Sequence, residues 1–140
     1  MSGKNYAHQL DAKNRMRIPA KLREELGENY HVTIGTGGCL YVYTDEQMSV
    51  VKQKLSKINP YDEKPLKVAR FILYNSWQAE EDKQGRILLP ETLRKYAKIE
   101  KNLIVFKGPE CVEIWAEEVW NNYFNDVDFR DLAQAMAELE

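Results

Sequence analysis

One punctuated segment occurs twice in this chain, and the repetition limits the fold more than any single residue does. The first copy reads Asp11-Ala12-Lys13-Asn14-Arg15-Met16-Arg17-Ile18-Pro19 and is followed by Leu22-Arg23. The second reads Asp82-Lys83-Gln84-Gly85-Arg86-Ile87-Leu88-Leu89-Pro90 and is followed by Leu93-Arg94. Asp, Arg, Pro, Leu and Arg recur at one offset (82 − 11, 86 − 15, 90 − 19, 93 − 22 and 94 − 23 each give 71). Chance explains a fixed offset across several residue types poorly, whereas two copies of one unit explain it directly. Whatever Arg15 presents to a partner, Arg86 presents again.

The likeness continues beyond the segment. Residues 30–34 and 102–105 both alternate as strands do. Gly37 falls on Gly108, a residue is then inserted in a Gly/Pro-containing turn, and Cys39-Leu40-Tyr41-Val42-Tyr43 lies on Cys111-Val112-Glu113-Ile114-Trp115. Each unit is thus predicted to run from a short strand through an Asp-led loop to an alternating strand, a short helix, a hairpin and a closing helix. On the alternating strands Met16 and Ile18 share one face and Arg15 and Arg17 the other, with Ile87 and Leu89 set against Arg86 and Leu88 in the second copy. Pro19 and Pro90 end these strands and suit a helix start. Leu22 with Leu26, and Leu93 with Ala97, give the short helices an apolar stripe. Thr44-x-x-Gln47 is a capping-box pattern, and the helix after it carries Met48, Val51, Leu55 and Ile58 on one side. The second closing helix carries Trp120, Tyr123, Phe124 and Val127. The expected organisation is a first repeat over 1–58, a linker and connecting helix over 59–75, a second repeat over 76–128 and a C-terminal helix over 129–140. Within it, residues 59–65 are read as linker, 66–74 as helix and 77–81 as strand. The last helix gathers Phe129, Leu132, Ala133 and Met136 on one face and is read as a packing or assembly helix.

Half of a 140-residue chain can bury only a modest core by itself, so two interlocked halves sharing one core are expected. No stretch is long and apolar enough to span a membrane, and no secretory signal is read, so a cytoplasmic setting is expected. Cys39 and Cys111 hold equivalent strand positions, which points to packing and away from a disulfide. The formal net charge is −2, a caution against nucleic-acid binding by bulk electrostatics. The basic charge is concentrated, however. Residues 1–23 carry six Lys and Arg against one Asp, while the segment from Glu117 onward is acidic.

Catalysis finds little support. His8 and His31 become Ala79 and Asn102 in the other copy, and no Ser-His-Asp or Cys-His set suggests itself. Gly35-Thr36-Gly37-Gly38 lacks the Lys-Ser/Thr of a phosphate loop and leads into a strand. Metal-ligand spacing is absent. The chain is therefore read as a non-enzyme without metal, cofactor or small-molecule substrate. Asp11 and Asp82 are read as turn formers, helped by Asn14 and Gly85. Arg15 and Arg86 admit two readings, a partner folded back onto its own Asp or a contact turned outward. The crowding of Lys13, Arg15 and Arg17 exceeds what one Asp needs and favours the second.

The pattern Tyr6-x-His8-x-Leu10-Asp11-x-Lys13-x-Arg15-x-x-x-Pro19-Ala20-Lys21-Leu22-Arg23, then Asp82 to Pro90, then Glu113-Ile114-Trp115, resembles the MraZ family over nearly the whole chain. That resemblance implies an α+β, β-rich fold in which two tandem halves, each similar to the AbrB/SpoVT swapped-hairpin domain, interlock in a β-barrel-like core with flanking helices. It also implies a sequence-specific transcriptional regulator, nucleoid-associated, that binds double-stranded DNA as a ring-shaped homo-oligomer. Its targets would be repeated boxes in the promoter of its own cell-division and cell-wall gene cluster. Arg15 and Arg86 match the family's motif arginines, Asp11 and Asp82 its aspartates, and Lys13 its first-loop lysine. With Arg17 and Lys83 beside them, the candidate DNA-binding set is Lys13, Arg15, Arg17, Lys83 and Arg86, and the structural turn set is Asp11, Asn14, Asp82 and Gly85. Gln84 stands where a second lysine would fall, Asn14 replaces the usual loop glycine, and Ser2 and Lys4 replace the usual N-terminal Phe and Gly. The competing reading is a protein-interaction or antitoxin-like assembly module for which DNA is secondary. The helical tail and the aromatic run from Trp120 to Phe124 would serve it.

Overall fold

The computed structural model describes residues 5–139, so the departures at Ser2 and Lys4 lie outside the described residues. The elements run β1 (Asn5–Gln9), β2 (Arg15–Arg17), α1 (Ala20–Leu26), β3 (Tyr30–Ile34), β4 (Leu40–Thr44), α2 (Asp45–Ser56), α3 (Glu63–Tyr74), β5 (Trp77–Gln78), β6 (Arg86–Leu88), α4 (Glu91–Ala97), β7 (Asn102–Lys107), β8 (Val112–Ala116), α5 (Glu117–Tyr123) and α6 (Phe129–Glu138). The architecture is α+β with antiparallel pairing throughout the strands described.

Local chemistry explains most boundaries. Pro19 and Pro90 occupy the residue just before α1 and α4, in extended backbone, where their fixed φ stops the strand and feeds the helix. Thr44 caps α2 through its side chain, which accepts from the Gln47 backbone N–H at 3.1 Å while the Gln47 side chain accepts from the Thr44 N–H at 3.0 Å. Asp128 and Asp131 form the same reciprocal cap on α6.

Three elements differ from the sequence expectation, and a fourth forms where expected. Helix α3 begins at Glu63 and takes Pro65 into its first turn, where a missing N–H costs nothing because first-turn N–H groups lack helical partners. Strand β5 shrinks to two residues, although the Ala79 N–H still donates to the Tyr30 carbonyl. Helix α5 stops at Tyr123, so Phe124 and Val127 fall in the turn beyond it. Helix α6 forms, yet every described residue in it is exposed; it packs no core within the chain.

The strand pairings cross between the halves. The larger sheet has the order β1-β7-β8-β4-β3-β5. Strand β1, from the first half, pairs with β7 of the second. Strand β5, from the second half, pairs with β3 of the first. The two hairpins join along β4 and β8, and a separate two-stranded ribbon unites β2 with β6. This is an open sheet order; the barrel-like closure implied by the resemblance is not part of it. One apolar cluster draws on both halves, with Met16, Ile18, Leu22 and Leu26 meeting Ile87, Leu89, Leu93 and Ala97. These are the residues related by the repeat, so each copy supplies half of a common core. Cys39 and Cys111 are free and buried, Cys111 beside Tyr43 and Met48 in a smaller cluster under α2.

Candidate nucleic-acid interface

Both Asp-led loops close in the same way. Asp11 Oδ1 accepts from the backbone N–H groups of Lys13 at 2.8 Å and Arg15 at 2.9 Å. Asp82 Oδ1 accepts from Gln84 at 2.8 Å and Arg86 at 2.9 Å. Between them the chain passes through the left-handed region, at Asn14 (φ 61°) and Gly85 (φ 76°). Glycine takes that conformation freely, and asparagine is among the few side-chain-bearing residues that tolerate it. Asp11 with Asn14, and Asp82 with Gly85, thus lie in the two turns. The carboxyls of Asp11 and Asp82 are held below their ordinary values, foremost by the backbone N–H of Arg15 and of Arg86.

The antiparallel register of β2 and β6 then brings the two loops' charges together. Arg15 Nε donates to Asp11 Oδ2 at 2.9 Å, and its Nη1 lies 3.6 Å from Asp82 Oδ2. Arg86 mirrors it, with Nε donating to Asp82 Oδ2 at 2.9 Å and Nη1 3.5 Å from Asp11 Oδ2. Two arginines and two aspartates thus form one cross-braced, charge-balanced quartet. Each arginine side chain is 27% exposed. Of the two readings of Arg15, folded back or turned outward, the structure shows the first in a wider form: Arg15 is anchored on two carboxylates, one from each repeat. Its Nη2, like that of Arg86, makes no hydrogen bond among the described residues, so one edge of each guanidinium remains open to an acceptor.

With Met16 and Ile87 facing the core, the ribbon turns Arg15, Arg17, Arg86 and Leu88 outward. Arg15 stands across from Leu88, and Arg17 across from Arg86. Arg17 is exposed and has no ion pair among the described residues; Lys13 and Lys83 stand exposed and equally unpaired at the loop tips. Since the quartet is balanced, these three supply the ridge's net positive charge. All five candidate DNA-binding residues therefore belong to one ribbon and its tips.

Leu88, set by alternation on the Arg86 face, is 48% exposed on the ridge at the position where the first repeat has Arg17. Sequence reasoning missed one feature. It is a latch between the halves. Arg23 Nε and Nη2 donate to the two Glu81 carboxylate oxygens at 2.9 and 3.0 Å, and the Tyr30 hydroxyl donates to Glu81 Oε2 at 2.7 Å. The hydrogen bond from Arg23 is the main cause holding the Glu81 carboxyl below its ordinary value. Glu81 immediately precedes Asp82, so the latch fixes the second loop to the first half. The recurrence of Arg23 as Arg94 marked the position, but the partner differs: Arg94 Nε donates to the Leu89 carbonyl.

Among the described residues no group of His, Cys, Asp and Glu is arranged to hold a metal ion, and no helix is long and apolar enough to cross a membrane. Two copies of one unit, exchanging strands and turning a shared arginine ribbon outward, define a tandem-repeat α+β protein whose principal surface feature is a charged ridge. The profile of the MraZ protein family, whose description includes the term antitoxin-like, matches residues 1–66 and 72–139. The chain belongs to the MraZ family. A protein of Thermoanaerobacter sp. (strain X514) is 44% identical over 137 residues, covering 96% of this chain and 95% of its own length. Relatives from Carboxydothermus hydrogenoformans and Clostridium botulinum (strain Alaska E43 / Type E3) are 38% identical over 135 residues and 40% identical over 135 residues. They cover 95% and 96% of this chain, and 94% and 95% of their own lengths. All three carry the name transcriptional regulator MraZ.

Proposed function

We propose that this chain is a sequence-specific DNA-binding transcriptional regulator that acts on repeated boxes upstream of its own division and cell-wall gene cluster, with the β2–β6 ridge as the DNA contact. The observation that carries the reading is the ridge: a two-stranded ribbon with Lys13, Arg17 and Lys83 unpaired and an open guanidinium edge on both Arg15 and Arg86. A two-stranded ribbon fits the major groove of B-form DNA, where an arginine reads guanine through its O6 and N7. The lysines at the tips fall where phosphates would flank the groove and fix position. Asp11 and Asp82 hold the arginines in fixed rotamers, which lowers the entropy lost on binding. The names of the relatives point to the same role.

In this account the two halves are swapped-hairpin units of the AbrB/SpoVT type, repeated over 1–58 and 76–128 and bridged by 59–75. Several chains assemble into a ring, so that one weak ridge per copy gains through effective concentration, and the protein resides on the nucleoid. Promoter footprinting with the purified protein on the DNA upstream of its own gene tests the role. Regularly spaced protected boxes are expected, and uniform protection indistinguishable from random DNA would refute it. The antitoxin-like reading retains one specific support, the exposed apolar helix α6. A tight complex with a second protein formed in the absence of DNA, together with an empty footprint, would favour it.

A further inference from the structure

An amphipathic helix that buries nothing is out of balance. Helix α6 aligns Phe129, Leu132 and Met136, continued by Leu139, at 84%, 57%, 57% and 79% exposure. Ten residues are too few to hold a helix in water without tertiary packing, since isolated helices below about 12–15 residues are marginal. The stripe therefore needs a cover. Helix α3 offers one: its outer side is a shallow, largely apolar groove formed within the one helix by Val68, Phe71, Leu73 and Tyr74, with Lys67 and Arg70 among them. The charges are complementary. Helix α6 and its cap carry Asp128, Asp131 and Glu138 beside the single cation Arg130, whereas α3 and its cap carry Lys64, Lys67 and Arg70 beside Asp62 and Glu63, leaving α6 net negative and α3 net positive. The lengths agree as well, about 15 Å against about 18 Å at 1.5 Å per residue.

Position decides whether the cover comes from the same chain. Helix α3 packs on β3, toward one edge of the sheet, and α6 follows α5, which packs on β7 and β8 toward the other edge. Helix α3 and the end of α5 from which α6 departs thus lie toward opposite edges of the sheet, an arrangement suited to linking copies head to tail and closing into a ring when the rotation permits. We propose that α6 of one copy lies in the α3 groove of the next, with the acidic flanks of α6 against Lys67 and Arg70. The proposal rests on the many-copy reading above and specifies its contact surface.

Two full-length variants, Val68→Cys and Leu132→Cys, test it. They are co-expressed under reducing conditions, oxidised gently, and compared with each variant alone and with one chain carrying both changes. The native thiols interfere little, because burial pushes both Cys39 and Cys111 up to about 12. A reducible two-chain product from the co-expressed pair, absent from either single variant, is the expected result. A link within Leu132→Cys alone would pair α6 with α6. A link within Val68→Cys alone would pair α3 with α3, and a link closed inside the doubly substituted chain would fold α6 onto its own α3. Each of these overturns the proposal. A second site pair, Phe71→Cys with Met136→Cys, guards against one unfavourable geometry. No link from either pair in a chain that light scattering shows to be larger than a dimer removes this contact and leaves assembly standing. No link in a monomeric chain removes both.

Discussion

At the scale of single residues, the Asp-x-x-x-Arg motif is two devices in one. Asp11 and Asp82 first build their own turns and then hold an arginine from each repeat, so that neither motif is complete without the other. Arg15→Ala should therefore lower the melting temperature and weaken DNA binding together, because it leaves Asp11 and Asp82 facing only Arg86. Paired thermal melts and gel shifts check this; weakened binding at an unchanged melting temperature would mean that the quartet contributes nothing to the fold. Acid should act on the same groups. The carboxyls of Asp11, Asp82 and Glu81 are held below their ordinary values, so as pH falls they take up protons later in the folded chain than in the unfolded one. Their contribution is complete above the ordinary carboxylate range and is lost as pH drops through the folded values. Glu113, raised by burial, acts in the opposite sense and favours the folded state at lower pH. With these three and Glu91, lowered by Lys95, against one, the melting temperature should fall below about pH 4. A melting temperature that holds steady down to pH 2 would contradict the ion-paired geometry.

At the scale of elements, the ribbon shows what the sequence could and could not reveal. Alternation placed Met16, Ile18, Ile87 and Leu89 inward, and all four are buried. Ile87→Ala should cost about 2–5 kcal/mol, the range for emptying a packed aliphatic site, measured by urea unfolding; a loss below about 0.5 kcal/mol would mean that the site is not part of a tight core. The helices were legible wherever a cap or a proline marks the end, as at Thr44 and Pro19. They were misjudged at the start of α3, where Pro65 lies inside the first turn and not ahead of it, and at the end of α5, where no such mark exists. What alternation could not reveal was the pairing of β2 with β6. Each strand's pattern states which face is apolar but not which partner completes the ribbon, and so the cross-bracing of Arg15 onto Asp82 stayed hidden. The exposure of α6 was equally beyond reach, since a stripe of apolar residues reads the same whether or not something covers it.

At the scale of the whole molecule, the repeat foretold a shared core, and the strand exchange supplies the physical reason. Strand β1 depends on β7, β5 on β3, and β2 on β6. Fragments 1–60 and 66–140 should therefore each fail to melt cooperatively when followed by circular dichroism, and mixing them should restore a transition; a sharp transition from either alone would contradict the interlocked core. The same exchange places both charged loops side by side and so creates the single ridge on which the functional account depends. Its most direct test is the affinity of wild type and Arg17→Ala for the DNA upstream of the protein's own gene, measured across a salt series. Arg17 is exposed and unpaired, so its removal spares the fold and reports on the ridge alone. Wild-type binding should weaken with salt at a log–log slope of about −0.9 per phosphate contacted. Arg17→Ala should bind at least about fivefold more weakly, the low end for one lost arginine contact to a base, with unchanged melting temperature and molecular mass. Wild-type affinity in Arg17→Ala, with the same salt slope, would contradict the assignment of the ridge as the DNA contact.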